Sequence, residues 1–366
     1  LLVFYTSPRW RIWFFKKLSF LNLDCETERN FFIKSEFLIS MRKNTRWILS
    51  FLTFLLFACQ VVGQPRGPGG RPPVRKHTVT KSGDLKLNPA VEKLVQKSVS
   101  KFKELKKEIK VEANGIPKHK VGRFPSRHNP NSVEEQAHNF SIPTNQKPAR
   151  QPISLHNESG RGPPNTPFGI AVNGVLFDPG TAEFFMGDRR ADWNYEALGG
   201  SVLLGLDANH GHVQPNGSYH YHGLPTGLLK KMGVNAKEHS PLVGYAMDGY
   251  PVYALYGYKD PKDPKSGIKK MSSSYRLQKG DRPDPPGGKF DGAFSKDYQY
   301  VKGSGDLDIC NGRFTVTDEF PKGTYAYFLT ENWPVIPRYF KAEPLKLRGR
   351  PGHQRGGRPP PPRRSP

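Results

Sequence analysis

Four of the chain's eleven histidines, His210, His212, His220 and His222, fall in the stretch Asp207-Ala-Asn-His-Gly-His-Val-Gln-Pro-Asn-Gly-Ser-Tyr-His-Tyr-His-Gly223. They form two pairs, each with i, i+2 spacing. On a β-strand, side chains alternate between faces, so His220 and His222 share one face and Tyr219 and Tyr221 the other. Between the pairs lies Gln214-Pro215-Asn216-Gly217, and Asn-Gly is a strong hairpin signal. A hairpin would set the two histidine pairs against each other. Converging neutral imidazoles make a metal site or a proton-transfer site. A single His-x-His is commonly only a solvated strand face. Asp207 and the upstream pair weigh against that reading here.

Other chemistry-bearing residues are scattered. Asp248 sits at a turn among aromatics in Gly244-Tyr-Ala-Met-Asp248-Gly-Tyr-Pro-Val-Tyr253, and Asp308 in Asp306-Leu-Asp308-Ile-Cys-Asn311-Gly312. Such acids most often close Asx turns. Together with Asp207 they also supply oxygens that could orient imidazoles or complete a metal shell. The candidate metal ligands are therefore His212, His220, His222 and His210. Asp207, His119, Asp248 and Asp308 are candidates for the surrounding layer or for further ligands. Asp207 and Asp248 would be the general bases of an enzyme. His128, His138, His156 and His239 lie in polar sequence and read as surface residues. The chain has no nucleophile elbow, no phosphate-binding glycine loop and no His-Glu-x-x-His helix.

The elements that must position these residues are short and punctuated by glycine and proline. Residues 1–40 contain no methionine and read as an extension upstream of a start at Met41. Residues 41–64 form an export signal: Arg42-Lys43 precede an apolar run from Trp47 to Ala58 that is too short to span a membrane comfortably. Leu56-Phe57-Ala58-Cys59 offers a lipobox, with plain cleavage after Gly63 or Gln64 as the alternative. Cys25 and Cys59 fall outside the mature domain, which leaves Cys310 as a core thiol or a site residue and permits no disulfide framework. Residues 65–87 are a basic Pro/Gly linker. Val91, Leu94, Val95, Val99, Phe102, Leu105 and Ile109 recur at helical spacing, which predicts an amphipathic helix over 88–113. The domain itself spans 114–344 and is expected to be mainly β, a single domain with long loops and a few short helices. Strands are expected over 169–177, 182–186, 202–206, 218–222, 243–246, 251–258, 312–316 and 324–330, with helical turns near 133–137, 195–199 and 224–232. No internal repeat is evident. Residues 345–366 are an Arg/Gly/Pro tail without an acidic residue. The linker, the 88–113 segment and the tail together supply most of the +24 formal charge.

The histidine stretch resembles the signature of YHYH-domain proteins. The resemblance extends over most of 114–344, through Gly115-Ile-Pro with His119, Thr166-Pro-Phe-Gly-Ile-Ala-Val-Asn-Gly-Val175, Phe177-Asp-Pro-Gly-Thr-Ala-Glu183, Asp248-Gly-Tyr-Pro-Val-Tyr253, Asp306-Leu-Asp-Ile-Cys-Asn-Gly312 and Gly323-Thr-Tyr-Ala-Tyr-Phe328. It implies an exported, mainly bacterial domain, and it implies no reaction. The family carries other polar residues where this chain has His210, which sets His210 apart as a ligand.

The residues and the resemblance together lead to an exported metal-binding module holding Zn or Cu, the ions imidazole favours. A metal-dependent secreted hydrolase or oxidase is the alternative, and a cell-surface adhesion protein with a structural histidine cluster is a third. The expected location is extracellular, periplasmic or lipid-anchored at the cell envelope. The basic arms would adhere to an anionic membrane surface or a cell-envelope polymer. Export argues against a specific nucleic-acid partner.

Overall fold

Residues 93–144, 146–155, 166–188 and 192–345 are described in the computed structural model of the chain. The described residues all belong to one compact unit. The upstream extension, the export signal, the linker, His156 and the tail beyond Leu345 lie outside the described residues.

The amphipathic helix expected over 88–113 is overturned for most of its length. Residues 93–95 make one helical turn. The chain then runs into β1 (Ser100–Glu104) and β2 (Glu108–Ala113), which pair antiparallel, and β3 (His138–Pro143) completes a three-stranded sheet. The same residues carry two periods. Ile109, Val111 and Ala113 are buried, while Lys110 and Glu112 between them are exposed. This period-two burial, and the β-branched residues in it, prevailed over the helical spacing.

The remaining strands are β4 (Ile153–Ser154), β5 (Gly169–Ala171), β6 (Leu176–Phe177), β7 (Gly211–Val213), β8 (Tyr219–Tyr221), β9 (Gly244–Ala246), β10 (Pro251–Ala254), β11 (Tyr256–Tyr258), β12 (Ile268–Lys270), β13 (Tyr275–Leu277), β14 (Tyr298–Tyr300), β15 (Gly312–Thr315), β16 (Thr324–Leu329) and β17 (Tyr339–Phe340). One short helix, α1 (Thr226–Lys231), follows β8. The domain is mainly β with few short helices, as the punctuation implied. The expected strand over 251–258 is split at Leu255, whose φ is +64°. Residues 202–206 pair with nothing as a strand, and 182–186 contribute one bridge, from Phe184 to Asn194. Neither 133–137 nor 195–199 is helical.

The central sheet has eight strands in the order β15-β16-β10-β9-β5-β6-β8-β7. It is an internal repeat, contrary to the sequence expectation. Strands β5, β6, β8 and β7 run outward from the middle on one side, and β9, β10, β16 and β15 do so on the other. The middle pair has Ile170 opposite Tyr245, with Gly169 opposite Ala246 and Ala171 opposite Gly244. Both halves then contain an antiparallel pair, a parallel pair and an antiparallel edge pair. The registers coincide: Phe177 faces Tyr221 as Val252 faces Tyr327, and His212 faces His220 as Arg313 faces Ala326.

The repeat is visible in residues once the registers are known. Gly169-Ile-Ala-Val-Asn-Gly174 corresponds to Gly244-Tyr-Ala-Met-Asp-Gly249, and Asp207-Ala-Asn-His-Gly211 to Asp308-Ile-Cys-Asn-Gly312. A Cβ on Gly211 would meet the Tyr219 hydroxyl at 2.5 Å, and one on Gly312 would meet the Tyr325 hydroxyl at 2.4 Å. Glycine is required at both places because a tyrosine lies directly over the backbone. The main core packs Tyr219, Tyr221, Tyr245, Tyr325 and Tyr327 with Phe168, Phe177 and Phe340.

Candidate metal centre

The hairpin β7–β8 closes through the loop after Gln214. Gly217 N donates to Gln214 O, Gln214 N donates to Ser218 O, and Gly217 has φ +80°. Only the glycine adopts positive φ, so this is a three-residue loop with a left-handed glycine rather than a two-residue Asn-Gly turn. The loop fixes the register that sets His212 directly opposite His220.

His212, His220 and His222 converge. The Nε2 of His222 lies 2.9 Å from that of His220 and 3.0 Å from that of His212. One ligand atom from each ring falls within 4.8 Å of the others, so the three are close enough to hold a metal ion. The other ring nitrogens point back to the protein. His212 Nδ1 pairs with the Leu204 carbonyl at 2.7 Å, and His220 Nδ1 with that of Ser218 at 3.3 Å. His222 Nδ1 faces the Pro179 carbonyl without full hydrogen-bond geometry. A carbonyl only accepts, so it places the ring proton on Nδ1 and leaves Nε2 as a lone pair. The Nε2 lone pairs of His212 and His220 then both face His222 Nε2, and a cation placed there would be shared by the three rings. Tetrahedral ligands at ~2.0–2.1 Å from Zn stand roughly 3.3 Å apart, slightly wider than the two spacings His222 makes here.

Burial keeps these rings neutral. It lowers His212 to about 4, with His220 adding like-charge repulsion. It lowers His220 to about 4 as well. His222 is pushed well below the ordinary value by burial, then by His220 and His212. His212 is the least buried of the three, so the site approaches solvent on the β7 side.

His210 is not part of this cluster. Its φ is +53°, which breaks the strand alternation at that residue, and its Nδ1 turns to the Leu224 carbonyl at 2.8 Å. Its backbone carbonyl still accepts from His222 N at 2.8 Å. His210 thus holds the strand that carries a ligand without presenting its own ring.

The three acids also lie elsewhere. Asp207 closes the loop before β7: Oδ1 accepts from Asn209 N and Gly211 N, and Oδ2 from Gly122 N, Asn209 Nδ2 and the Tyr219 hydroxyl. Asp308 does the same in the second half, accepting from Cys310 N, Gly312 N and the Tyr325 hydroxyl. Asp248 is the counterpart of Asn173. Asn173 donates to the Tyr221 hydroxyl at 2.9 Å, whereas Asp248 accepts from the Tyr327 hydroxyl at 2.6 Å and from Lys341 N and Ala342 N. Each acid supports a tyrosine on the face opposite the imidazoles. His119 joins that layer: its Nδ1 pairs with Lys120 O and its Nε2 accepts from Tyr221. Cys310 is buried in the main core, and burial pushes its thiol up to about 12.

His128 is exposed, as expected. His138 and His239, expected at the surface, are half-buried. The His138 ring stacks on Phe140, and His239 packs on Tyr253 and Tyr258. Polar sequence around these histidines concealed aromatic partners that are distant or alternate in the chain.

Residues not singled out in the sequence complete the surroundings. Asn129 and Asn131 donate to Val213 O, covering the edge of β7. Arg338 donates to the Pro179 carbonyl and pairs with Glu196 at 2.6 Å, both side chains almost fully buried. No local pattern marks these positions, because each partner lies far away in the chain.

Residues 139–342 match the family of YHYH proteins. The match covers more than half of the chain, and the chain belongs to that family. It matches no curated protein and no solved structure.

Proposed function

We propose that this YHYH protein is an exported metal-binding module that holds one divalent transition-metal ion on His212, His220 and His222. The observation that carries the reading is the convergence of three Nε2 atoms, with the His212 and His220 rings anchored through Nδ1. Three neutral imidazoles favour Zn or Cu over oxygen-preferring ions. Asp207 and Asp248 have their oxygens engaged by backbone and tyrosine donors, which favours a binding module over a hydrolase or oxidase that uses either acid as a base. Export rests on the Met41 signal, and adhesion of the basic arms to an anionic membrane surface or envelope polymer rests on their charge. Calorimetric titration of the full chain with Zn and with Cu tests the reading. Saturation at one ion per chain, lost in His220→Ala/His222→Ala and kept in His128→Ala, supports it. Equal binding by wild type and double variant contradicts it.

A further inference from the structure

The repeat makes the second half of the sheet an internal comparison for the metal centre. The positions of His212, His220 and His222 are taken there by Arg313, Ala326 and Phe328. Residues that oppose each other in the middle pair share a face, so both sets lie on the same face, at opposite edges. The two hairpins share the Asp-closed loop, the glycine under a tyrosine, and the buried second tyrosine. They differ at the ligand positions and in the connecting loop, which is longer between β15 and β16.

Their replacement is itself cationic. The Arg313 guanidinium lies 5.6 Å from the centre of the Phe328 ring and donates to the Tyr258 carbonyl at 2.6 Å. His212 likewise reaches from its edge strand to a carbonyl of the adjoining segment, Leu204. Each outer hairpin is thus tied sideways to a neighbouring stretch of chain by one residue at the same position. In the second half that residue brings its own positive charge, stacked on an aromatic face, an arrangement that is attractive without any ion. In the first half three imidazole Nε2 atoms meet instead.

We propose that the metal ion is a structural staple of the β7–β8 hairpin, performing at that edge what Arg313 performs at the β15–β16 edge. The proposal rests on the metal reading above and adds a role to it. Metal bound by the folded hairpin and not by the opened one stabilises it in proportion to ion occupancy. The β15–β16 hairpin, with its cation built in, is independent of metal.

Hydrogen–deuterium exchange on the full chain, before and after chelation, tests this, with metal content measured on the same samples. Removal of the ion should speed exchange of residues 207–222 about tenfold or more while leaving 308–329 unchanged. Arg313→Gln should do the reverse, loosening 308–329 to the same extent with and without chelator. Metal that leaves without changing exchange at 207–222, or that changes both hairpins alike, overturns the staple while the binding reading stands. A purified chain with no ion to remove, and none taken up, overturns both. Should Arg313→Gln fail to fold, the wild-type comparison decides the matter alone.

Discussion

The Nε2 atoms of His220 and His222 lie 2.9 Å apart. Two residues along an extended strand are separated by roughly 7 Å, so the two rings reach this contact only by turning toward each other. His222 stands just past the end of β8, where the backbone leaves the ladder and permits that turn. Opposite them, His212 closes the triangle.

The stability of the metal-stripped protein should fall with acid. His212 and His220 titrate near 4 in the folded chain against an ordinary value of 6.5, because burial disfavours the charged ring. Between those values the unfolded chain binds more protons than the folded one, so stability is fully present above 6.5 and is lost as pH falls toward 4. The loss amounts to about 3 kcal/mol for His220 alone. Urea unfolding at a series of pH values measures it, and His220→Ala/His222→Ala should flatten the slope.

Asp207 should behave as a structural acid. Removing its carboxylate in Asp207→Ala leaves the buried Tyr219 hydroxyl and several backbone donors without an acceptor, at about 1–3 kcal/mol for each unsatisfied group. Tyr219→Phe should cost less, since Asp207 retains its backbone donors. Thermal unfolding should rank the wild type first, Tyr219→Phe second and Asp207→Ala last.

Asp248→Asn should keep the fold and the metal. Asn173 already performs the equivalent task beneath Tyr221. Burial raises Asp248 to about 6, so the folded chain binds an extra proton between 3.8 and 6 and loses stability as pH rises through that window. The variant should lose this slope and keep full metal content, as read by pH-dependent unfolding and elemental analysis. A collapse of metal content would return Asp248 to the site.

Arg338→Met should destabilise by about 3–5 kcal/mol, because it leaves Glu196 charged and unpaired in the interior. It also releases the Pro179 carbonyl beside His222. Arg338→Met combined with Glu196→Gln should recover much of the stability, as measured by denaturant unfolding.

The sequence made the β character and the histidine hairpin legible because both rest on local patterns: period-two alternation, Asn216-Gly217, and frequent glycine and proline. It misled over 100–113, where one set of apolar residues satisfied two periods and only pairing with β3 decided between them. His210 looked equivalent to His212 by spacing, yet a left-handed φ at that residue turned it away. The repeat was concealed because its two halves share turns and tyrosines while differing at the ligand positions. Aligning the two Gly-x-Ala-x-Asn/Asp-Gly stretches would have exposed it. Arg338, Glu196 and Asn129 were beyond reach, since only the tertiary fold brings them to the site.

The central claim is tested most directly by the metal content of the full chain as purified, read by elemental analysis together with anomalous X-ray scattering at the Zn and Cu absorption edges. The account predicts one ion per chain, with its anomalous peak enclosed by the Nε2 atoms of His212, His220 and His222. A chain that remains metal-free after incubation with Zn and with Cu, or a peak located elsewhere, would contradict it.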